Sequence, residues 1–203
     1  MMYITGGLVV IFILVLIYFL FRLWLEGQRE RSTSREIKGE MFPVELRVAA
    51  LRPLKLLNEY YEKRDPENAD ACIDETMLAD KLLILGTNPS EIFYGREGAK
   101  CLLQGDWKYW GKLVLDVERT ALSQASNDFY FVMRGQIRLD IWHFRIPIKI
   151  TGVLEKRNKR WYISKMQFIN DLNTNYVILS WVPALALVAS LLLFVFSWLI
   201  YIF

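Results

Sequence analysis

The chain has 203 residues, with 25 Lys and Arg against 22 Asp and Glu, one His and two Cys. A surplus of three positive charges, spread over a mixed surface, shows no strongly basic face of the kind a nucleic-acid binder carries, so nucleic acid is not an expected partner. One His and two Cys without ligand spacing are too few soft groups for a zinc site, and Cys72 and Cys101 read as ordinary buried small residues, not a disulfide, suited to a reducing compartment. No metal or cofactor is expected.

The first predicted element is apolar. Tyr3 to Phe21 is nineteen residues without a charge, nearly the 30 Å of a bilayer core at 1.5 Å per residue. Met1 to Thr5 has no Lys or Arg, and Leu20 to Trp24 offers no small-residue cleavage site, so the run reads as a transmembrane helix (residues 1–25) and not as a signal peptide. A charged linker follows over residues 26–43. A second uncharged run, Tyr176 to Phe203, predicts a C-terminal transmembrane helix within residues 172–203.

Orientation follows from the flanking charges. Arg22, Arg29, Arg31, Arg35 and Lys38 follow the first run; Lys156, Arg157, Lys159, Arg160 and Lys165 precede the second. The positive-inside rule then places the intervening domain in the cytoplasm of a plasma or inner membrane, with both termini outside. Neither run holds an ionisable residue, which argues for anchors over a transport path.

Between the runs, Val48, Leu51, Leu54, Leu57 and Tyr61 recur at helical spacing and predict an amphipathic helix ending near Arg64, kinked or begun at Pro53. Asp65-Pro66 signals a second, short helix through Cys72 and Ile73. Leu82 to Leu85 and Ile92 to Tyr94 read as short strands, closed by Gly86-Thr87-Asn88-Pro89 and by Gly95. Ala99, Leu102, Leu103, Trp107 and Trp110 share one face of a third helix. From Phe129 the period becomes two, with turns at Ser126-Asn127-Asp128 and Arg157-Asn158-Lys159, which predicts a four-stranded antiparallel meander. Pro147 belongs at an edge or a bulge. The total is an α+β domain over residues 44–171.

Three pieces of this segment carry a resemblance: Leu85-Gly86-Thr87-Asn88-Pro89-Ser90-Glu91 with Gly95-Arg96-Glu97-Gly98; Asp106-Trp107-Lys108-Tyr109-Trp110-Gly111 leading into a strand; and Thr151-Gly152-Val153-Leu154 up to Lys159-Arg160-Trp161-Tyr162-Ile163. In that order they resemble the nuclear transport factor 2-like superfamily, especially its SnoaL-like branch. The resemblance implies a cone: a curved antiparallel sheet around three helices, with a pocket at the open end. It covers isomerases, cyclases and hydrolases as well as non-catalytic modules that dimerise through the sheet, so fold does not settle function.

The ketosteroid isomerases of this superfamily place an Asp base after the first short strand. Here Leu85 to Asn88 holds no carboxylate, and Tyr60 or Tyr61 would supply a phenol without a base. Glu91 and Asp106 are pocket-rim residues by resemblance. Trp107, Tyr109 and Trp110 are candidates to line an apolar pocket, against the plainer reading of core packing. His143, the sole histidine, is a candidate base or ligand contact, although strand parity turns it to the side opposite Trp142 and Phe144. The expectation is a membrane-anchored, non-catalytic module that forms a homodimer or meets a membrane-side protein. The alternative is an enzyme or sensor acting on a lipophilic small molecule.

Overall fold

The computed structural model describes residues 2–29, 40–88, 90–109, 111–138, 145–170 and 174–202. Trp110 and His143 lie outside the described residues, as does most of the charged linker. The chain divides into two units, one of residues 1–31 with 172–203 and the other of residues 32–171.

The first unit contains two long helices, α1 (Met2–Arg29) and α5 (Thr174–Ile202), which pack against each other. Their outward side chains are apolar: Leu14 is 61% exposed and Leu192 66%. Ser190 is buried and its hydroxyl donates to the Ala186 carbonyl at 2.8 Å, which satisfies it within the helix. Counted over the described residues alone, no helix is long and apolar enough to cross a membrane.

The second unit is the α+β domain. Helix α2 (Val44–Lys63) runs unbroken through Pro53, where the sequence suggests a kink or a start. Its buried stripe is Leu51, Leu54, Leu57 and Tyr61, whereas Val48 is 65% exposed, because it lies about 200° around the helix from Leu46 and Ala50, which pack inward. Arg64 ends the helix in the left-handed region, and its guanidinium donates to the Trp107 carbonyl from Nε at 3.0 Å and Nη2 at 2.9 Å. Asp65 caps a 3-10 turn, Pro66–Asn68, by accepting from the Glu67 N–H at 3.1 Å, and α3 (Ala69–Thr76) follows.

The strands β1 (Leu83–Leu85) and β2 (Ile92–Tyr94) lead into α4 (Gly95–Tyr109). Then come β3 (Lys112–Leu115), β4 (Ala121–Ala125), β5 (Asp128–Arg138), β6 (Arg145–Arg157) and β7 (Arg160–Asn170). The sheet order is β2-β1-β7-β6-β5-β3, with β4 also on β5. The predicted meander is present with its first strand in two pieces. A 3-10 turn at Val117–Arg119 separates β3 from β4, and both pair with β5. Pairing is antiparallel except for β1 with β7, which is parallel, because the chain passes through α2 and α3 before β1 and enters the sheet beside its last strand. The β6–β7 hairpin closes on Asn158 and Lys159, both at positive φ, as a right-twisted two-residue turn requires.

Two features bend the sheet around the helices. The β6–β7 register shifts between Val153 and Leu154, and Gly152 lies opposite Phe131 with no room for a side chain. A Cβ there would meet the Phe131 ring at 2.6 Å and the Lys165 carbonyl closer still. Pro147 pairs with Gln136 on β5 but lies beyond the last β7 partner, Asn170, so its missing N–H removes no ladder bond to β7. The concave face buries Phe129, Phe131, Met133, Ile148 and Ile150 against Leu54, Leu57 and Leu103.

The other face corrects the expectation of an evenly mixed surface. Strand pairing sets Lys112 beside Arg138, Arg138 beside Arg145, and Arg134 beside Lys149. Charges scattered in sequence become neighbours because a pleated strand sends every second residue to one side.

Candidate functional site

The cone closes over a small cavity of about 50 Å³ between α2, α4, the loop after β1 and the ends of β3, β5, β6 and β7. Its walls are largely apolar, formed by Leu102, Leu113, Ile137, Ile148 and Phe168. Its polar groups are Tyr61, Thr87, Glu91 and Asp106. A space of this size holds a few water molecules or one end of a small organic molecule.

Tyr61 and Asp106 form the polar floor. The Tyr61 hydroxyl donates to Asp106 Oδ2 at 2.6 Å. Tyr61 arrives there because it shares the buried stripe of α2 with Leu54 and Leu57, and a phenol on a core face requires a buried acceptor. Asp106 lies one residue before the buried Trp107 on α4, and the Trp107 ring meets Tyr61 edge-on at 6.0 Å between centroids. Burial pushes the Asp106 carboxyl up to about 6; the Tyr61 hydrogen bond opposes that rise and the negative charge of Glu91 adds to it. Burial, and then the Asp106 charge, hold the Tyr61 hydroxyl well above 10, so the phenol keeps its proton.

Glu91 is set by a closed loop. The Gly86 N–H donates to the Glu91 carbonyl at 2.8 Å, and the Asn88 N–H donates to Glu91 Oε2 at 3.1 Å. The Glu91 side chain folds directly over Gly86, where a Cβ would meet Glu91 Cβ at 2.6 Å. Glycine at 86 is what lets the carboxylate turn to the rim.

Of the residues singled out in the sequence, Glu91 and Asp106 come together on this cavity. Tyr60 does not line it: neighbouring helical residues diverge by about 100°, so only one of two consecutive tyrosines faces inward. The hydroxyl of Tyr60 turns instead to Glu75, and burial with that carboxylate raises its pKa. Trp107 is 3% exposed and packs behind Tyr61, with its indole N–H unpartnered. Tyr109 is 73% exposed, away from the cavity.

The sequence places Asp106 at the pocket rim by resemblance but points to the loop after β1 for a base, whereas the buried carboxylate is Asp106 itself, three turns along α4. It also set Tyr61 aside for lack of a base. The signal was present in the helical phase of Tyr61. Among the described residues no group of three or more His, Cys, Asp or Glu is placed to hold a metal ion. The buried Cys72 thiol is pushed up to about 12 by burial, which leaves it unreactive near neutral pH, whereas Cys101, expected to be buried as well, is exposed on α4.

Among solved structures, a nuclear transport factor 2-like superfamily protein from Salmonella enterica serovar Typhimurium is 12% identical, with 64% of this chain and 94% of that one covered at a TM-score of 0.51. The fold is nuclear transport factor 2-like. A protein of unknown function with a cystatin-like fold from Nostoc punctiforme is 14% identical over 65% of this chain and 96% of its own, at a TM-score of 0.53. A type 2 hexachlorocyclohexane dehydrochlorinase is 15% identical over 63% and 86%, at 0.50. The nuclear transport factor 2-like fold thus hosts an enzyme as well as a protein of unknown function, and at such identities the likeness is one of fold alone. No protein-family description matches the chain, and no curated protein does.

Proposed function

We propose that this protein is a two-pass membrane protein whose cytoplasmic cone binds a small, mainly apolar molecule, with the Asp106–Tyr61 pair as its proton-accepting and hydrogen-bonding floor. The observation that carries the reading is the 2.6 Å contact between Tyr61 and Asp106 inside an apolar cavity. A carboxyl group near 6 is divided between its acid and its base at neutral pH, as general acid–base work requires. Tyr61 donates to one carboxylate oxygen, leaving the other lone pairs of Asp106 for a ligand hydroxyl or an acidic C–H. Glu91 at the rim raises the proton affinity of Asp106 and disfavours anionic ligands. Apolar molecules concentrate in the bilayer to which the domain is tied.

The anchoring part of the reading is supported by the charge-free runs of the sequence, by the apolar outward side chains of α1 and α5, and by the basic residues flanking them. The orientation follows from those charges: cone in the cytoplasm, both termini outside.

Thermal unfolding of the full chain in detergent, with 1-naphthol and cyclohexenone as probes, tests the pocket. Either probe should raise Tm in the native protein and not in Asp106→Asn. Equal shifts in both proteins would remove Asp106 from the site, and the absence of any shift would count against the pocket reading.

A second reading, association with a second copy or a membrane-side protein, is favoured by strand β2 at the edge of the sheet, where Ile92 is 48% and Tyr94 68% exposed. Crosslinking in native membranes through Tyr94→Cys should then give one discrete adduct.

A further inference from the structure

Several surface carboxylates of the α+β domain meet cations. Asp70 meets Arg96 and Lys100, Asp80 meets Arg157 at 2.9 Å, and Glu155 meets Lys81 at 3.1 Å. The two carboxylates that line the cavity, Glu91 and Asp106, meet none among the described residues, and no described Lys or Arg lines the cavity. Arg64, one turn beyond Tyr61 on α2, is engaged at the Trp107 carbonyl instead. The charge that acts on Asp106 is that of Glu91, of its own sign. This is the reverse of what solvation favours. A carboxylate in water needs no partner, whereas one set among apolar walls costs free energy until an opposite charge meets it.

The shape and walls of the cavity narrow the class of cation that completes it. Asp106 accepts one hydrogen bond from the Tyr61 hydroxyl, and Glu91 accepts one from the Asn88 N–H. The remaining lone pairs of both are acceptors for a donor of opposite charge. A primary ammonium brings three donors on one compact atom, which suits two carboxylates and the Thr87 hydroxyl. The apolar tail of an amine suits Leu102, Leu113, Ile137 and Phe168. A volume of about 50 Å³ admits the ammonium end of a small amine and is too small for a sugar or a nucleotide. A metal ion fits less well, because among the described residues no group of three or more His, Cys, Asp or Glu is placed to hold one.

We infer that the ligand of the cone is a small apolar amine, held as its ammonium between Asp106 and Glu91. The inference rests on the ligand-pocket reading above and adds the ligand's charge; the anchoring of the chain plays no part in it. Binding then depends on pH. Glu91 from the loop after β1 and Tyr61 from α2 face Asp106, while the described residues of β3, β5, β6 and β7 at the cavity, Leu113, Ile137, Ile148 and Phe168, carry no charge. With the Asp106 carboxyl near 6, a proton occupies at pH 5 the place the ammonium needs, and at pH 7.5 the group is ionised. Affinity for the amine therefore rises over that interval.

Thermal unfolding of the full chain in a neutral detergent compares cyclohexylamine, cyclohexanol and cyclohexanecarboxylate, three probes of one shape and different charge. At pH 7.5 the Tm shift from the amine should exceed that from the alcohol several-fold, and the carboxylate should give none. The excess should shrink at pH 5 and collapse in Glu91→Gln and in Asp106→Asn. Glu91→Gln keeps an oxygen for the Asn88 N–H, so it decides the point if Asp106→Asn misfolds. An alcohol shift equal to or above that of the amine, and lost in Asp106→Asn, overturns the inference and leaves the pocket reading standing. An excess that is the same in both variants, or at both pH values, puts the amine elsewhere and overturns it too. So does an equal shift from calcium chloride, which would assign the site to a metal ion. The absence of any shift from amine and alcohol alike defeats the pocket reading and the inference together.

Discussion

The hydroxyl of Tyr61 and the carboxylate of Asp106 meet at 2.6 Å across forty-five residues of sequence, and this one bond joins α2 to α4 at the floor of the cavity. It also makes the site depend on pH in a direction that can be worked out. The carboxyl group moves from 3.8 to about 6 on folding, so between those values the folded protein holds a proton that the unfolded chain has released. Stability therefore falls as pH rises through that window, by about 3 kcal/mol in all. Asp106→Asn should lose this dependence and melt higher than the native protein at pH 7, with little difference at pH 4. Melting curves from pH 4 to 8 decide the matter, and parallel curves for the two proteins would show that Asp106 titrates normally.

Removing the other partner acts in the opposite sense. Tyr61→Phe deletes the donor that favours the charged carboxylate, so the Asp106 pKa should rise above its native value. The loss at pH 7 should be about 1.5–3 kcal/mol, the range for a hydrogen bond to a charged group, and smaller at pH 5. Side-chain carbonyl NMR of Asp106 across the titration gives the pKa, and chemical denaturation gives the stability.

Gly152 is a packing requirement of the curved sheet. Gly152→Ala places a methyl group against the Phe131 ring and the Lys165 carbonyl, both fixed by the ladder. The expected cost is about 1–3 kcal/mol, with partial recovery in the double variant Gly152→Ala with Phe131→Leu, where the ring is gone. Denaturant midpoints of the three proteins test this, and a neutral single variant would mean that the strands relax freely at the bulge.

Topology has its own test. On the proposed topology, protease added to intact cells should spare residues 44–171, and protease added to inverted vesicles should digest exposed sites such as Lys63 and Lys108. Digestion in intact cells would place the domain on the other side of the membrane.

Much of the fold was legible in the sequence because it rests on short-range pattern. The change from helical spacing at Leu54, Leu57 and Tyr61 to alternation at Phe129, Phe131 and Met133 marks where helix gives way to sheet. The glycines at 86 and 95 close the first two strands as read, whereas Pro147 lies inside β6, where that strand runs past its last β7 partner. Less visible was whether Pro53 would break α2, since a single lost backbone bond is outweighed by the apolar stripe on both sides of it. The break between β3 and β4 was equally hidden, because both pieces follow the same partner strand.

The chain's local chemistry alone determined two charge-free end segments, a domain of helices followed by strands, and the basic residues that flank the first and last elements. Those properties depend on neighbours along the chain, which a sequence displays directly. Tertiary structure alone decided that Tyr61 and not Tyr60 meets Asp106, that Glu91 turns back over Gly86, and that five cations drawn from three strands share one face. The first and third join residues far apart in sequence through helix phase and strand register, and the second is set by how one loop closes, and no pattern along the chain records which partner a side chain will find.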